Sequence, residues 1–333
     1  MAIMNQQTST PPPGDFKNRK TGLVVFGILT MAMGGLCALI VPLMIFGLAR
    51  AATTTGVHQS LQGIFLMAAL YGLVAVALIW LGIGSIMARR WARALLLIFS
   101  WCWLIMGVIV VAITAVMVPR IVDLVRSVRP AGQPELPPSA SLIFVLIPAV
   151  IFGVIFVVLP GVWVLFYGSK HVKATCETCD PVPRWTDRCP LPVLALSLGL
   201  ALGAPMMLVM PLTNSGVFPF FGMFLTGLPG TLAYVVLAAV WAYSAWACYR
   251  LDRRGWWVIF ASMIVFAISG AITYSLHDVA ELYRLMNYPE EQIAQFQKFN
   301  VLNGSGMAWL TLLCMAPWIG YLLYVRTFFR RDV

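Results

Sequence analysis

Apolar residues in this chain fall into long blocks separated by short polar segments. The blocks cover about 23–48, 61–87, 91–118, 141–168, 191–212, 226–249, 256–280 and 304–326. Each can cross a bilayer, which takes about 20 helical residues at about 1.5 Å rise each. The pattern predicts an all-α integral membrane protein with eight transmembrane helices. The 191–212 block is the shortest and carries Pro192, Pro205 and Pro211. A re-entrant segment there would change the parity to seven spans. The first block follows a basic tail and precedes Ala49-Arg50-Ala51, which looks like a signal-peptide cleavage site. It is far longer than a signal core of about 7–15 residues, so it reads as a retained span.

Basic residues set the orientation. With the N-terminus inside, 16 of the 22 Lys and Arg fall on the cytoplasmic side, and every inner segment shares in the excess. Both termini are therefore expected in the cytoplasm. Trp91, Trp256 and Trp257 stand at the inner boundaries, where interfacial aromatics belong.

The blocks also repeat. Ala32-Met33-Gly34-Gly35 and the following Pro42 match Ala201-Leu202-Gly203-Ala204 and Pro211 at identical spacing. Arg89-Arg90-Trp91 matches Arg253-Arg254-Gly255-Trp256. Ala112-Ile113-Thr114 matches Ala271-Ile272-Thr273, and the pair Pro160 and Tyr167 matches Pro317 and Tyr324. The same order in both halves predicts two parallel four-helix repeats related by an axis along the membrane normal. The expected organisation is a disordered cytoplasmic tail (1–20), a first four-span unit (21–168), a cytoplasmic Cys-containing linker (169–190) and a second four-span unit (191–333). Prolines 42, 148, 160, 205, 211 and 317 are candidates for kinked or unwound helix segments.

Composition narrows the function. The 333 residues are 61% hydrophobic and 10% charged, against about 25% charged in soluble domains, which excludes a soluble fold. The net charge of +10 is spread over short loops. It suits anionic lipid headgroups, and no nucleic acid partner is expected. The 12 acidic residues all lie in tails, loops or span ends, and no Lys, Arg or His sits mid-membrane. That argues against a pump, a proton-coupled transporter or a charged-solute channel. Cys37, Cys102, Cys248 and Cys314 lie in apolar blocks and read as small buried hydrophobes. A haem or metal shared by His58 and His277, with Asp278 and Glu281, is conceivable. Two separate interfacial histidines are the expectation.

Two polar segments carry candidate chemistry. The linker spaces His171, Cys176, Cys179 and Cys189 as H-x4-C-x2-C-x9-C. A close cysteine pair with a third thiol and an imidazole could complete a tetrahedral zinc shell. The lone Cys189 beside Pro190 lacks the second knuckle of most structural zinc sites, so a plain Pro-containing linker is the competing account. No βαβ pattern supports a redox CxxC. The second segment is outer. Pro289-Glu290-Glu291 opens a helix, and Ile293, Phe296 and Phe299 give it an apolar stripe, so a short surface helix is expected. Asn303-Gly304-Ser305 matches a glycosylation acceptor but lies at the membrane edge.

The turn Arg89-Arg90-Trp91-Ala92-Arg93 and the run Arg184-Trp185-Thr186-Asp187-Arg188-Cys189-Pro190 resemble a group of uncharacterised bacterial multi-span proteins. The resemblance implies a bacterial inner-membrane setting and carries no activity or cofactor. No catalytic set or phosphate loop is present. The expected function is a non-enzymatic accessory or scaffold subunit in the bilayer, in contact with membrane lipids and another membrane protein. The alternatives are a carrier for a neutral or lipid-like solute and a metal- or thiol-sensing membrane protein using the linker.

Overall fold

A computed structural model describes residues 17–54, 61–127, 138–290, 293–294 and 304–330. Among them, eight helices are long and apolar enough to cross a membrane. The chain divides into two compact units, Met1–Thr186 and Asp187–Val333, with four such helices in each. The division falls inside the 169–190 segment. Residues 1–16 of the expected disordered tail, His58, and most of the expected surface helix after Pro289 lie outside the described residues.

In the first unit, α1 (Lys20–Thr54) packs along α2 (Leu61–Ile86). Glycines make this contact close. A Cβ on Gly82 would stand 2.7 Å from the Gly27 carbonyl oxygen, and one on Gly27 would stand 2.8 Å from that of Gly82. In lipid such backbone approach replaces the hydrophobic effect as the packing force. α3 (Arg90–Ser127) packs along the fourth span, which has three parts: α4 (Pro138–Gly153), a π-helical turn (Val154–Val158) and α5 (Leu159–Gly168). Pro160 explains the π turn. A proline ring clashes with the carbonyl four residues earlier, here Phe156, and cannot donate a hydrogen bond to it. The ladder widens instead, with the Leu159 N–H on the Val154 carbonyl. The displaced Phe156 carbonyl lies against Gly107 of α3, where no Cβ would fit.

At the α1 end of this unit, Tyr167 and Trp163 are fully buried. Phe26 stacks on Phe166 at 4.2 Å between ring centres, and Trp103 meets Trp163 edge-on. Ser85 Oγ donates to the Leu23 carbonyl, 2.9 Å, and lies 2.8 Å from the Tyr167 hydroxyl. Since the serine proton is committed to Leu23, Tyr167 is the donor to Ser85.

In the second unit, α7 (Leu191–Thr213) packs along α8 (Gly227–Tyr249), and α9 (Arg253–Leu276) packs along α11 (Gly304–Arg326), with the short α10 (Val279–Leu285) between them in the chain. The core is built by Val193, Leu196, Leu200, Ala245, Cys248, Ile259, Leu322 and Val325. Trp256 is buried and its indole N–H donates to the Leu322 carbonyl, 2.7 Å, so it anchors the core at the start of α9. The Arg326 guanidinium stands 5.3 Å from the Trp256 ring centre.

The turns α2–α3 and α8–α9 share one form. Ala88 and Leu251 each have positive φ, +50° and +61°. Ala88 N–H bonds the Ser85 carbonyl and Arg89 N–H that of Gly84. Leu251 N–H bonds the Cys248 carbonyl and Asp252 N–H that of Ala247. This is a left-handed helix stop made without glycine. Behind each turn two small residues touch: Gly84 faces Ala92, and Ala247 faces Gly255.

Three expectations need adjustment. Pro42, Pro148, Pro205, Pro211 and Pro317 sit inside helices that are not unwound there, so of the six candidate prolines only Pro160 adjoins a non-α turn. Of the four cysteines in the spans, only Cys248 is buried; Cys37 is half-buried, and Cys102 and Cys314 are exposed. Those outward thiols still behave as small apolar groups, because hydrocarbon takes the place of water around a span. The third difference is a β-hairpin between α7 and α8. β1 (Phe218–Phe220) pairs antiparallel with β2 (Met223–Leu225), with Phe220 opposite Met223. Phe221 and Gly222 form its two-residue turn with φ of +41° and +88°, the geometry that matches strand twist.

Candidate functional site

The linker chemistry lies on α6 (Lys170–Cys179) and the loop that follows. Ser169 caps α6 by accepting from the His171 N–H. The inward face carries Val172, Thr175 and Cys176, all buried. α6 is tied to the start of α1. The Arg19 N–H donates to Thr175 Oγ1, 3.1 Å, and the Lys17 N–H donates to His171 Nδ1, 3.4 Å.

An ionic seam fastens α6 to the α2–α3 turn. Asp180 is 2% exposed and accepts from Arg184 Nε at 3.1 Å and Nη2 at 2.8 Å, a bidentate fork. Arg89 stands 3.7 Å from the same carboxylate, and Arg90 pairs with Glu177 at 3.6 Å. The Arg184 hydrogen bonds hold the Asp180 carboxyl below the usual carboxylate range, outweighing burial. Nothing in the sequence singles out this pairing. Asp180 and Arg184 are four apart, yet the segment between them is not helical, so helix spacing gave no signal.

The predicted zinc residues are distributed as follows. His171, Cys176 and Cys179 share α6, with Cys176 buried and Cys179 exposed at its last position. Cys189 is buried and belongs to the second unit. Among the described residues, no three His, Cys, Asp or Glu side chains converge as metal ligands do. Burial pushes the Cys176 thiol up to about 12, against the opposing pull of Arg93, and the Cys189 thiol up to about 11. The thiolate is the nucleophilic form, so burial makes both thiols less reactive than a free cysteine.

A second polar cluster stands at the other end of α9. His277 follows α9, and its Nδ1 lies 2.8 Å from Glu281 Oε2 of α10. Its Nε2 lies 3.0 Å from the Gly222 carbonyl in the hairpin turn. The Phe224 ring sits 5.2 Å from the imidazole. The hairpin turn is also held from α9. The Phe221 N–H donates to Ser269 Oγ, 2.9 Å, and the Gly222 N–H to Thr273 Oγ1, 3.0 Å. Ser269 Oγ in turn donates to the Pro219 carbonyl, 3.2 Å. Sequence reasoning placed His277, Asp278 and Glu281 together but could not supply the carbonyl from a residue 55 positions away. His58, the other half of the conceivable haem or metal pair, lies outside the described residues. The hydrogen bonds and ion pairs of both clusters hold chain segments in place. No family model, curated protein or solved structure matches the chain.

Proposed function

We propose that this chain is a non-enzymatic polytopic membrane protein, an accessory or scaffold subunit within a bacterial inner membrane, with both termini cytoplasmic. The observation that carries the reading is where its polar chemistry sits. The ion pairs found among the described residues lie at span ends or beyond them. Within the spans, several hydroxyls turn back on their own helices, Thr30 to Phe26, Ser100 to Leu96, Thr114 to Val110 and Thr311 to Met307, while Ser85 and Ser197 bond carbonyls of a neighbouring helix. Such side chains shape helices and offer a solute little to bind. Large apolar side chains meanwhile cover the outward faces, among them Leu43, Val76, Leu165, Leu202 and Trp309. Lipid or another membrane protein covers those faces.

The four-span unit is proposed as a duplicated building block. The two left-handed turns at Ala88 and Leu251 support this. So does the exchange of glycine and alanine between Gly84–Ala92 and Ala247–Gly255, which keeps one small contact while swapping its members.

One observation favours a second reading, a carrier for a neutral or lipid-like solute. The π turn before Pro160 is a break of the kind that binding segments use. Native mass measurement of the protein, extracted with its own lipids into nanodiscs, separates the two. A stoichiometric second polypeptide supports the subunit. A lone chain, with or without a bound lipid, overturns it in favour of the carrier.

A further inference from the structure

The hairpin between α7 and α8 is fastened by four side-chain ties, of which one can titrate. The imidazole of His277 faces an acceptor on each side: the Glu281 carboxylate at 2.8 Å and the Gly222 carbonyl at 3.0 Å. A neutral imidazole carries one N–H and can satisfy one of them, leaving a ring lone pair against the other. The imidazolium donates to both. We propose that His277 is a proton-binding site whose occupancy clasps the β1–β2 hairpin turn to the α9–α10 corner.

The surroundings are simple. Glu281 comes from α10, with Asp278 next to His277 in the chain, and Arg284 one turn further on is paired with Glu290. α9 contributes Tyr274, whose ring lies 6.4 Å from that of Phe224. The hairpin strands and turn contribute no charged side chain. The remaining three ties, through Ser269 and Thr273, do not titrate in the accessible range. The turn itself needs holding, because Phe221 occupies the left-handed region that side chains with a Cβ avoid.

The direction follows from the partners. Glu281 first, and then the Gly222 carbonyl, raise the His277 pKa above its ordinary value of 6.5, against a smaller opposing effect of desolvation. A group whose pKa is raised by closure stabilises closure below its open-state pKa, and that contribution fades as pH rises through the closed-state value. Only the Gly222 carbonyl is lost when the hairpin opens, so it alone makes closure tighten proton binding, while Glu281 raises the pKa in both states. The clasp is therefore complete in mild acid and loosens as pH rises through the closed-state value. With the orientation proposed above, this end of the unit faces the outside of the cell.

Hydrogen exchange on the full chain in nanodiscs tests this. The amides of Phe221 and Gly222 would be followed from pH 5.5 to 8.5, corrected for intrinsic exchange. The closed-to-open ratio changes across the titration by the factor by which closure tightens proton binding. We expect protection to fall severalfold as pH rises, with a midpoint above 6.5. Glu281→Gln should bring the midpoint down toward 6.5. His277→Phe should leave protection low and flat, while protection of the α7 and α8 helices reports that the fold is intact. Protection that is flat with pH in the wild type, or a pH dependence that survives in His277→Phe, would overturn the proposal.

Discussion

The Tyr321 hydroxyl donates to the Pro192 carbonyl at 2.7 Å, tying α11 to the first turn of α7. In the first unit, Tyr167 reaches the Leu23 carbonyl near the start of α1 through Ser85. Each unit thus uses a tyrosine of its fourth span to hold the beginning of its first. Tyr321→Phe is expected to cost about 0.5–1.5 kcal/mol, toward the lower end because hydrogen bonds between spans average about 0.6. Tyr167→Phe should cost less, since Ser85 keeps its bond to Leu23. Thermal unfolding in nanodiscs, with Tyr324→Phe as the exposed control, would read the order. Equal values for all three would refute the ties.

The α1–α2 contact predicts a sharp contrast among glycines. Gly82→Ala places a Cβ against the backbone of α1, and overpacking of this kind costs about 1–3 kcal/mol. Gly35 and Gly47 of α1 have open space where a Cβ would go. Alanine at either should be neutral or slightly stabilising, because it reduces the freedom of the unfolded chain. Chemical unfolding of the three variants would distinguish a specific contact from a general intolerance of change.

Pro160 and Gly107 should behave as a coupled pair. Gly107→Ala collides with the Phe156 carbonyl and is expected to be destabilising by about 1–3 kcal/mol. Pro160→Ala lets that carbonyl return to its own helix. The double variant should therefore recover stability, with a coupling of about 0.5–3 kcal/mol. Strict additivity would mean that the π turn has another cause.

Thiol labelling should rank the linker cysteines. Cys179 is exposed and should react with a maleimide at neutral pH. Cys176 and Cys189 are buried, with thiols raised to about 12 and about 11, so they should lag by orders of magnitude and quicken as pH rises. Prior addition of zinc tests the metal reading directly. Protection of Cys179 by zinc, reversed by a chelator, would revive a site at His171, Cys176 and Cys179.

The ionic seam has its own pH dependence. Asp180 has a depressed pKa, so its contribution is present above its ordinary value of 3.8 and is lost as pH falls through the lower folded value. Asp180→Asn should remove that dependence and loosen α6 at neutral pH, leaving Arg89 and Arg184 without their shared carboxylate. Limited proteolysis within 170–190 would report it. Cleavage equal to wild type at pH 7 would show that the buried apolar face alone holds α6.

Hydropathy alone located the eight spans to within a few residues, because a membrane helix is written as one uninterrupted apolar run. What it missed depends on partners distant in sequence. The hairpin reads as an aromatic loop until Ser269, Thr273 and His277 are brought to it. The break after Leu276 is hidden because Val279, Ala280 and Leu282 continue the apolar character into α10. The matched spacing of Pro160 and Tyr167 with Pro317 and Tyr324 does not reveal the tie to the first span of the second unit. Tyr324 is half exposed, and the bond is made one turn earlier by Tyr321. The zinc spacing is visible as a pattern, but the burial that keeps Cys176 and Cys189 protonated is a tertiary property.

The pairing of spans also bears on how the protein is made. α1 packs along α2 and α3 along α4–α5, then α7 along α8 and α9 along α11. Almost every helix finds its main partner next to it in the order of synthesis. Domains tend to fold as units from the N-terminus while the chain is still growing, and neighbour pairing keeps loop closure short. The glycine contact between Gly27 and Gly82 can therefore form as soon as the second span enters the bilayer. The main helix pairs of the first unit are then complete before α7 is translated. A chain that ends after Thr186 should still insert as a protease-resistant four-helix body, and biogenesis of the second half should not need to wait on a distant strand or span.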